Sequence, residues 1–181
     1  MISTLTIEPL SKAHNRTAFD CGNKALNHFL QKIARQHMEK GLSKTFVLID
    51  TEHPTEIIAY MSLVVCEVLA EDIPHQWKNK YPNRIPAAKL AKLAVAQDQQ
   101  RKGYGEILLI DAMQKTLNVS YTMGIAGLFV DAKNEQAKAY YNQFAFISLP
   151  EQLDNLFLPI STLAKSLSQI AGTTTHTNEH E

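Results

Sequence analysis

Two glycines in the middle of the chain, Gly103 and Gly105, lie between an apolar strand and the start of a predicted helix. A turn that brings several backbone N–H groups together at a helix N-terminus forms an anion site. Glycine matters there because a phosphate can approach the backbone closely only where no Cβ intervenes. The stretch over residues 93–109 therefore predicts a site for a pyrophosphate group.

The sequence excludes two common phosphate-binding loops. A Walker loop needs Gly-x-x-x-x-Gly-Lys followed by Ser or Thr, and no such run occurs in the chain. A dinucleotide fingerprint needs Gly-x-Gly-x-x-Gly after a first strand, whereas this loop has only Gly103-x-Gly105 after an apparent antiparallel meander. The flanking residues must therefore decide which phosphorylated ligand the loop holds.

The chain alternates predicted strands with predicted helices. Strands are expected at residues 2–10, 45–49, 56–68, 89–96, 127–130, 144–148 and 156–160. Helices are expected at residues 23–41, 103–118, 134–143 and 161–170, the last with Ser161 as its N-cap. In the helix after the glycines, Ile107, Leu108 and Leu109 should turn into the buried face. Prolines in residues 70–87 predict a long structured connection rather than regular secondary structure.

The composition fits one globular domain. We expect a single domain over residues 1–170 and a polar, disordered tail over residues 171–181. No apolar run approaches the roughly 20 residues that a membrane span needs, and the N-terminus does not resemble a signal peptide. Cys21 and Cys66 fit no disulfide framework or zinc spacing, which favours reduced packing thiols in a cytoplasmic protein that holds no metal.

The formal net charge of zero conceals two basic runs. Residues 23–44 and 75–102 carry several Lys and Arg residues each, against Glu39 in the first run and Asp98 in the second. One such run would usually be a solvated face. Two of them flanking a phosphate-type loop favour a polyanionic partner.

Two segments together resemble the signatures of the GCN5-related N-acetyltransferases, the GNAT superfamily. Residues 100–105 (Gln-Arg-Lys-Gly-Tyr-Gly) match its Gln/Arg-x-x-Gly-x-Gly/Ala loop after an apolar strand. Residues 134–146 (Asn-Glu-Gln-Ala-Lys-Ala-Tyr-Tyr-Asn-Gln-Phe-Ala-Phe) resemble its second signature, a helix with an aromatic-Tyr pair before a Phe-Gly-Phe-like strand. Ala145 stands where that pattern has glycine, which should shift the backbone little if φ is negative there.

The superfamily resemblance implies an α/β (α+β) fold. Its expected form is the GNAT fold, a mixed and mostly antiparallel central sheet flanked by helices and splayed at the strand that binds acetyl-CoA.

A narrower resemblance covers most of the chain. Residues 19–30, 41–47, 84–95 and 156–160 are similar to the TacT-like toxins, the GNAT toxins of type II toxin–antitoxin systems. That group acetylates the α-amino group of aminoacyl-tRNA and so blocks translation. Its members are usually homodimers neutralised by a ribbon-helix-helix antitoxin, and the resemblance implies both partners here.

The resemblance assigns the donor site. Acetyl-CoA would be held through its pyrophosphate by the loop N–H groups, with charge added by Arg101 and Lys102. The pantetheine arm would pair with the backbone of Leu93, Ala94 and Val95, where an N–H group would face the thioester oxygen. The remaining residues assigned to acetyl-CoA are Gln100, Gly103, Tyr104, Gly105, Glu106, Asn134 and Tyr140.

Tyr141 is the general acid that the resemblance implies. A tyrosine has a pKa near 10, stays protonated at neutral pH and can give its proton to the departing thiolate. Its neighbour Tyr140 should lie about 100° round the helix, as a packing residue or one on the adenine side. The alternative for both tyrosines is a place in the core.

No general base is evident, which mildly favours an α-amine as the acceptor. A lysine amine with a pKa near 10.4 is almost wholly protonated at neutral pH, whereas an α-amine near 7.7–8.0 is partly neutral. The tRNA backbone would then be contacted by basic residues, for which the candidates are Lys32, Arg35, Lys78, Arg84, Lys89 and Lys92.

The sequence is also compatible with two other kinds of function. A GNAT enzyme could instead acetylate a polyamine, an aminoglycoside or a protein N-terminus, although the basic runs suit a small cationic substrate poorly. A GNAT-like protein could also bind CoA or a partner without turnover, which the retention of both the loop and Tyr141 disfavours.

Overall fold

The computed structural model describes residues 4–150 and 154–176. Its strands form one seven-stranded sheet in the order β1-β2-β3-β4-β5-β7-β6. They are β1 (Leu5–Pro9), β2 (Lys44–Asp50), β3 (Ala59–Leu69), β4 (Arg84–Val95), β5 (Gly127–Asp131), β6 (Ile147–Ser148) and β7 (Asn155–Pro159). The pairs β1–β2, β2–β3, β5–β7 and β6–β7 are antiparallel. The predicted mixed fold with a mostly antiparallel sheet is confirmed.

Helices separate most of these strands. They are α1 (Lys24–His28), α2 (Ala34–Glu39), α3 (His75–Lys78), α4 (Tyr104–Ser120), α5 (Glu135–Asn142) and α6 (Ile160–His176). A π-helical segment, Phe29–Ile33, joins α1 to α2, and short 3₁₀ turns lie at Ala70–Asp72 and Gln97–Gln99. The chain divides into two compact units, one with Met1–Val64 and Leu90–Asp111, the other with Val65–Lys89 and Ala112–Glu181.

The first unit is built on a core of aromatic and aliphatic side chains around Tyr60. The Tyr60 ring is fully buried, and its hydroxyl donates a hydrogen bond of 2.7 Å to the carbonyl of Leu26. Phe19 meets that ring edge-on at 5.5 Å, and Phe29 stacks on it at 6.3 Å. Helix α1 begins as the sequence predicts, with the Asn23 side chain accepting from the Leu26 N–H.

The second unit has a separate core around Phe157. Phe129 stacks on the Phe157 ring at a centroid distance of 4.4 Å, and Trp77 and Tyr81 meet it edge-on at 5.8 Å and 6.5 Å. Trp77 and Tyr81 belong to the predicted long connection, so this segment covers the Phe157 side of the sheet. Its residues therefore contribute to the core rather than forming a solvated loop.

Two predicted strand boundaries are wrong for identifiable reasons. Strand β4 begins at Arg84 rather than at residue 89, and it includes Pro86, whose carbonyl accepts from the Ala126 N–H at 2.8 Å. A proline fits there because this bond uses only its carbonyl group. The strand predicted over residues 144–148 is reduced to β6, since the N–H groups of Phe144 and Ala145 donate to carbonyls of the preceding helix.

The last helix and one helical face also differ from the sequence prediction. Helix α6 begins at Ile160, so Ser161 lies inside it rather than capping it. It continues through residues 171–176, because weak helix formers such as threonine lower helix stability without ending a helix. In α4, Leu108 and Leu109 are buried but Ile107 is 38% exposed, since successive helical residues point about 100° apart.

Some predictions fall outside the residues that the structure describes. These are the first residues of the strand predicted over 2–10 and residues 177–181 of the predicted tail. The single-domain boundary at residue 170 stays a prediction.

Candidate active site

The glycine loop in the first unit joins β4 to α4 through two left-handed residues. Arg101 has φ of 65° and Gly103 has φ of 85°. A non-glycine residue in this conformation costs about 1–2 kcal/mol, so the surrounding loop must hold Arg101 there. Left-handed residues are part of the turns whose neighbouring N–H groups form anion-binding nests.

The start of α4 leaves backbone donors available beside the nest. Its first helical hydrogen bond runs from the Ile107 N–H to the Gly103 carbonyl. The N–H groups of Tyr104, Gly105 and Glu106 therefore have no acceptor within the helix, as at every helix N-terminus. Together they can bind the oxygens of an anion such as a pyrophosphate.

Gly103 and Gly105 differ in what their backbone conformation requires of the residue type. Gly103 has positive φ, whereas Gly105 does not. A Cβ on Gly105 would meet only the Cγ2 atom of Val95, at an ordinary contact distance of 3.8 Å. Neither backbone conformation nor packing within the described residues requires glycine at position 105. Glycine at this position is compatible with the close approach of a ligand predicted from the sequence, which stays a prediction.

Gln100 has a positioning role that the sequence did not indicate. Its side-chain amide donates to the Val95 carbonyl at 2.9 Å and to the Cys21 carbonyl at 3.1 Å. It thereby ties the loop to the end of β4 and to the turn before α1. The assigned β4 residues differ in burial, with Ala94 buried and both Leu93 and Val95 half-buried.

The tyrosine pair in the second unit lies near the end of α5. Asn134 caps this helix, its side chain accepting from the Ala137 N–H at 2.8 Å. Tyr141 is only 7% exposed, and its ring lies 5.5 Å from that of Tyr140 and 5.6 Å from that of Phe146. The side chain of Asn134 therefore has a structural partner, and its predicted contact with acetyl-CoA stays a prediction.

Burial makes Tyr141 a weaker acid than a free tyrosine. Its pKa is raised to about 12, first by desolvation and second by the negative charge of Asp131. A tyrosine with an ordinary pKa is already protonated in the neutral range, and this shift holds its proton more tightly. The alternative predicted from the sequence, a place for Tyr141 in the core, does not conflict with the role of proton donor. The buried phenol still carries the proton that it would give.

Ala145 departs from the backbone conformation expected for it. Its φ is 68°, so the alanine occupies the left-handed region rather than a negative φ. The negative φ on which the sequence-based expectation of little backbone change depended is therefore not observed. Glycine in the related pattern is explained by this turn, because only glycine adopts it without strain.

Most of the predicted RNA-contacting residues have partners within the protein. Arg35 pairs with Glu39 at 3.2 Å and Arg84 with Glu67 at 2.7 Å. Lys89 likewise forms an ion pair, with Asp131 at 2.9 Å. Lys92 instead makes a cation–π contact, its ammonium nitrogen lying 5.3 Å from the centre of the Phe29 ring. In the described residues no ion pair involves the other two candidates, the exposed Lys32 and the half-buried Lys78.

Asp131 is the functional candidate that sequence reasoning missed. It lies at the end of β5, where it pairs with Lys89 and acts electrostatically on Tyr141. An acidic residue directly after a short apolar strand was the available signal. No metal-type cluster of His, Cys, Asp or Glu occurs in the part of the chain that the structure describes.

The glycine loop, with its donors at a helix N-terminus, and the buried tyrosine on the helix after β5 fit an enzyme that transfers an acyl group from a CoA thioester. The model of the Acetyltransferase (GNAT) family matches residues 10–146, and the chain belongs to this family. It is therefore an acyltransferase that uses acetyl-CoA as its donor.

Similarity to known proteins extends over nearly the whole chain. A probable TacT toxin of Sinorhizobium fredii (strain NBRC 101917 / NGR234) is 28% identical over 167 residues, which cover 87% of this chain and 92% of that one. The solved structure of AtaT complexed with acetyl-methionyl-tRNAfMet is 30% identical, with a TM-score of 0.82 over 92% of this chain and 99% of that one.

A further AtaT structure is a tyrosine-to-phenylalanine mutant of the toxin, bound to the C-terminus of the antitoxin AtaR and to acetyl-CoA. It is 30% identical, with a TM-score of 0.75, and covers 92% of this chain and 99% of that one. The resemblance to toxin acetyltransferases that the sequence predicted is thereby confirmed. In the described part of the chain, no helix is long and apolar enough to cross a membrane.

Proposed function

We propose that this protein is a toxin that transfers the acetyl group of acetyl-CoA to the α-amino group of aminoacyl-tRNA and so blocks translation. The observation that carries the proposal is the buried phenol of Tyr141 in the second signature of the family, which carries its proton at neutral pH. It belongs to a chain that matches a toxin–tRNA complex over nearly all its length. An acetylated α-amine can no longer act as the nucleophile that forms the next peptide bond, which accounts for the inhibition of translation.

The loop binds the donor in this proposal. The N–H groups of Tyr104, Gly105 and Glu106 hold the pyrophosphate oxygens of acetyl-CoA, and the left-handed turn before them adds further donors. The exposed side chains of Arg101 and Lys102 add positive charge beside the anion. Gln100 supports this arrangement indirectly by fixing the loop to β4.

Acetyl transfer then needs one proton to leave the amine and one to reach the sulfur. The neutral α-amine attacks the thioester carbon, and a backbone N–H of residues 93–95 stabilises the oxyanion that forms. The carbon–sulfur bond breaks as Tyr141 gives its phenolic proton to the departing thiolate. The nitrogen loses a proton to solvent, the tyrosinate takes one up, and the products are N-acetyl-aminoacyl-tRNA and CoA.

An α-amine suits this site better than a lysine side chain does. At neutral pH an α-amine with a pKa near 8 is partly neutral, whereas a lysine amine near 10.4 needs a strong base. The tRNA backbone is contacted by basic side chains, of which the exposed Lys32 and the half-buried Lys78 are the best candidates. The others are held by Glu39, Glu67, Asp131 or Phe29.

The relatives support one of the proposed partners. AtaT is bound to the C-terminus of the antitoxin AtaR, which supports neutralisation of this toxin by an antitoxin. We propose that this antitoxin is of the ribbon-helix-helix type and that the active species of the toxin is a homodimer. The protein acts in the cytoplasm, where its substrate, charged tRNA, is found.

The competing function is acetylation of a small amine or of a protein N-terminus. Purified protein with labelled acetyl-CoA separates these possibilities when charged tRNA, spermidine, an aminoglycoside and a peptide are offered in parallel. We expect label in charged tRNA and none in tRNA stripped of its amino acid. Label that enters spermidine or the peptide but not charged tRNA would refute the toxin function.

A further inference from the structure

A cavity of about 270 Å³ lies in the second unit, next to the carboxylate that influences Tyr141. Phe129 and Leu149, both buried, form part of its wall, and Cys66 and Val68 are half-buried beside them. This volume is slightly below the roughly 300–1,000 Å³ typical of ligand pockets, so the cavity suits a small group rather than a whole nucleotide.

The charges around the cavity are unequal. The carboxylates of Glu67, Asp72 and Asp131 line it, against the single ammonium group of Lys89. Glu67 is already paired with Arg84, and Asp131 with Lys89. An excess of carboxylates on a partly enclosed wall attracts a cation and repels a second anion.

The Cys66 thiol reports that these charges act inside the cavity. The net effect on its pKa is an increase. Burial raises the pKa most, the positive charge of Lys89 lowers it, and the negative charge of Asp131 raises it. Both charged groups are thus close to the half-buried thiol rather than fully solvated. The Lys89–Asp131 pair therefore forms part of the cavity wall.

Asp131 connects the cavity to the proposed proton donor. Its charge is the second cause of the raised pKa of Tyr141, so the carboxylate is near the phenol. It is the last residue of β5, two residues after Phe129, and alternate residues of a strand face the same side. A group held by Asp131 would thus lie beside the apolar wall that Phe129 helps to form.

We propose that this cavity receives the aminoacyl group of the acceptor. Asp131 binds the α-amino group, and Val68, Phe129 and Leu149 contact an uncharged, apolar side chain. This inference rests on the proposed acetylation of aminoacyl-tRNA. Lys89 pairs with Asp131 and yields part of that interaction when the α-ammonium enters. The ammonium loses a proton to solvent before the neutral amine attacks. An aspartyl or glutamyl group is disfavoured, because its carboxylate would meet the excess of acidic residues.

A substitution that fills the cavity tests the apolar wall. Val68→Trp should raise KM for methionyl-tRNA at least tenfold and leave the affinity for acetyl-CoA unchanged. Val65→Trp is the matched control, because Val65 lies on the same strand with its side chain 75% exposed and does not line the cavity. The control should acetylate methionyl-tRNA like the wild type.

Asp131→Asn tests the charge without changing the size of the side chain. With the carboxylate removed, Lys89 loses its partner and the preference for uncharged over acidic aminoacyl groups should fall. We expect the ratio of kcat/KM for methionyl-tRNA to that for aspartyl-tRNA to drop at least tenfold. A general loss of stability would lower both rates and leave this ratio unchanged, so the ratio separates recognition from folding.

The outcomes distinguish the cavity from the reaction itself. If the wild type acetylates charged tRNA but both variants keep its KM and its selectivity ratio, the cavity assignment is wrong and the proposed reaction stands. If the wild type acetylates no charged tRNA, the proposed function fails, and this inference fails with it.

Discussion

The ring of Phe146 lies 5.6 Å from the ring of Tyr141, with the two planes at 61°. The contact forms because the chain reverses after α5, where the Phe144 and Ala145 N–H groups donate to the carbonyls of Tyr141 and Asn142. Phe146 is buried, so its edge limits the rotation of the tyrosine ring. The turn at Ala145 thereby fixes the orientation of the proposed proton donor.

Ala145→Gly should stabilise the protein. Alanine at φ of 68° costs about 1–2 kcal/mol, part of which glycine gives back through its greater freedom in the unfolded chain. We expect a net gain of about 0.5–1 kcal/mol in the free energy of unfolding, measured with urea. Ala139→Gly, at an exposed position within α5, should instead lose about 1 kcal/mol. Equal losses for both variants would contradict the strained turn.

Tyr141→Phe should abolish most of the transfer step and leave donor binding intact. Loss of a general acid lowers kcat by about 10²–10⁴, and phenylalanine keeps the packing against Phe146. Calorimetry should show unchanged acetyl-CoA affinity, and expression of the variant should no longer inhibit growth. Tyr121→Phe, at a tyrosine that is 74% exposed, is the control and should remain toxic. A fully active Tyr141→Phe variant would remove the proposed proton donor.

The raised pKa of Tyr141 also predicts a pH dependence of stability. An unfolded tyrosine ionises near pH 10, whereas Tyr141 in the folded protein ionises near 12. The unfolded state loses its proton first, so stability falls as the pH rises from about 10 to about 12. Urea unfolding should show the wild type losing about 2–3 kcal/mol relative to Tyr141→Phe over this range. Parallel curves for the two proteins would mean that the phenol is not desolvated.

Gly105→Ala separates folding from donor binding. The added Cβ would meet only Val95, at 3.8 Å, and alanine is the better helix former, so the melting temperature without ligand should stay the same or rise. The affinity for acetyl-CoA should fall at least tenfold, because the methyl group blocks approach of the pyrophosphate. Gly124→Ala, a position where a Cβ meets nothing within 4 Å, should change neither value. Unchanged acetyl-CoA affinity in Gly105→Ala would place the pyrophosphate elsewhere.

The sequence was sufficient for the parts of the fold with strong local signals. Asn23 caps its helix and Gly41 follows α2 in a left-handed conformation, as their residue types indicate. The π-helical segment at Phe29–Ile33 has no such signal. The early start of β4 was hidden by Pro86, because whether a proline fits a strand depends on which neighbouring groups need a donor.

The same limit applies to the candidate site. The spacing of the glycines and of the tyrosine could be read directly, since each is a local pattern. The pairing of Lys89 with Asp131 joins residues far apart in the chain, so no local pattern could show that this lysine is already held. For Ala145, the residue type indicated a negative φ, and the constraint imposed by the turn after α5 overrides that preference.

The most direct test of the proposed function is to identify the atom that receives the acetyl group. Methionyl-tRNA would be incubated with the protein and acetyl-CoA, the ester bond cleaved under mild alkali, and the released amino acid analysed by mass spectrometry. The proposed reaction predicts N-acetylmethionine, with none formed by Tyr141→Phe. Free methionine together with acetyl groups on the tRNA bases, or no acetylated product at all, would contradict it.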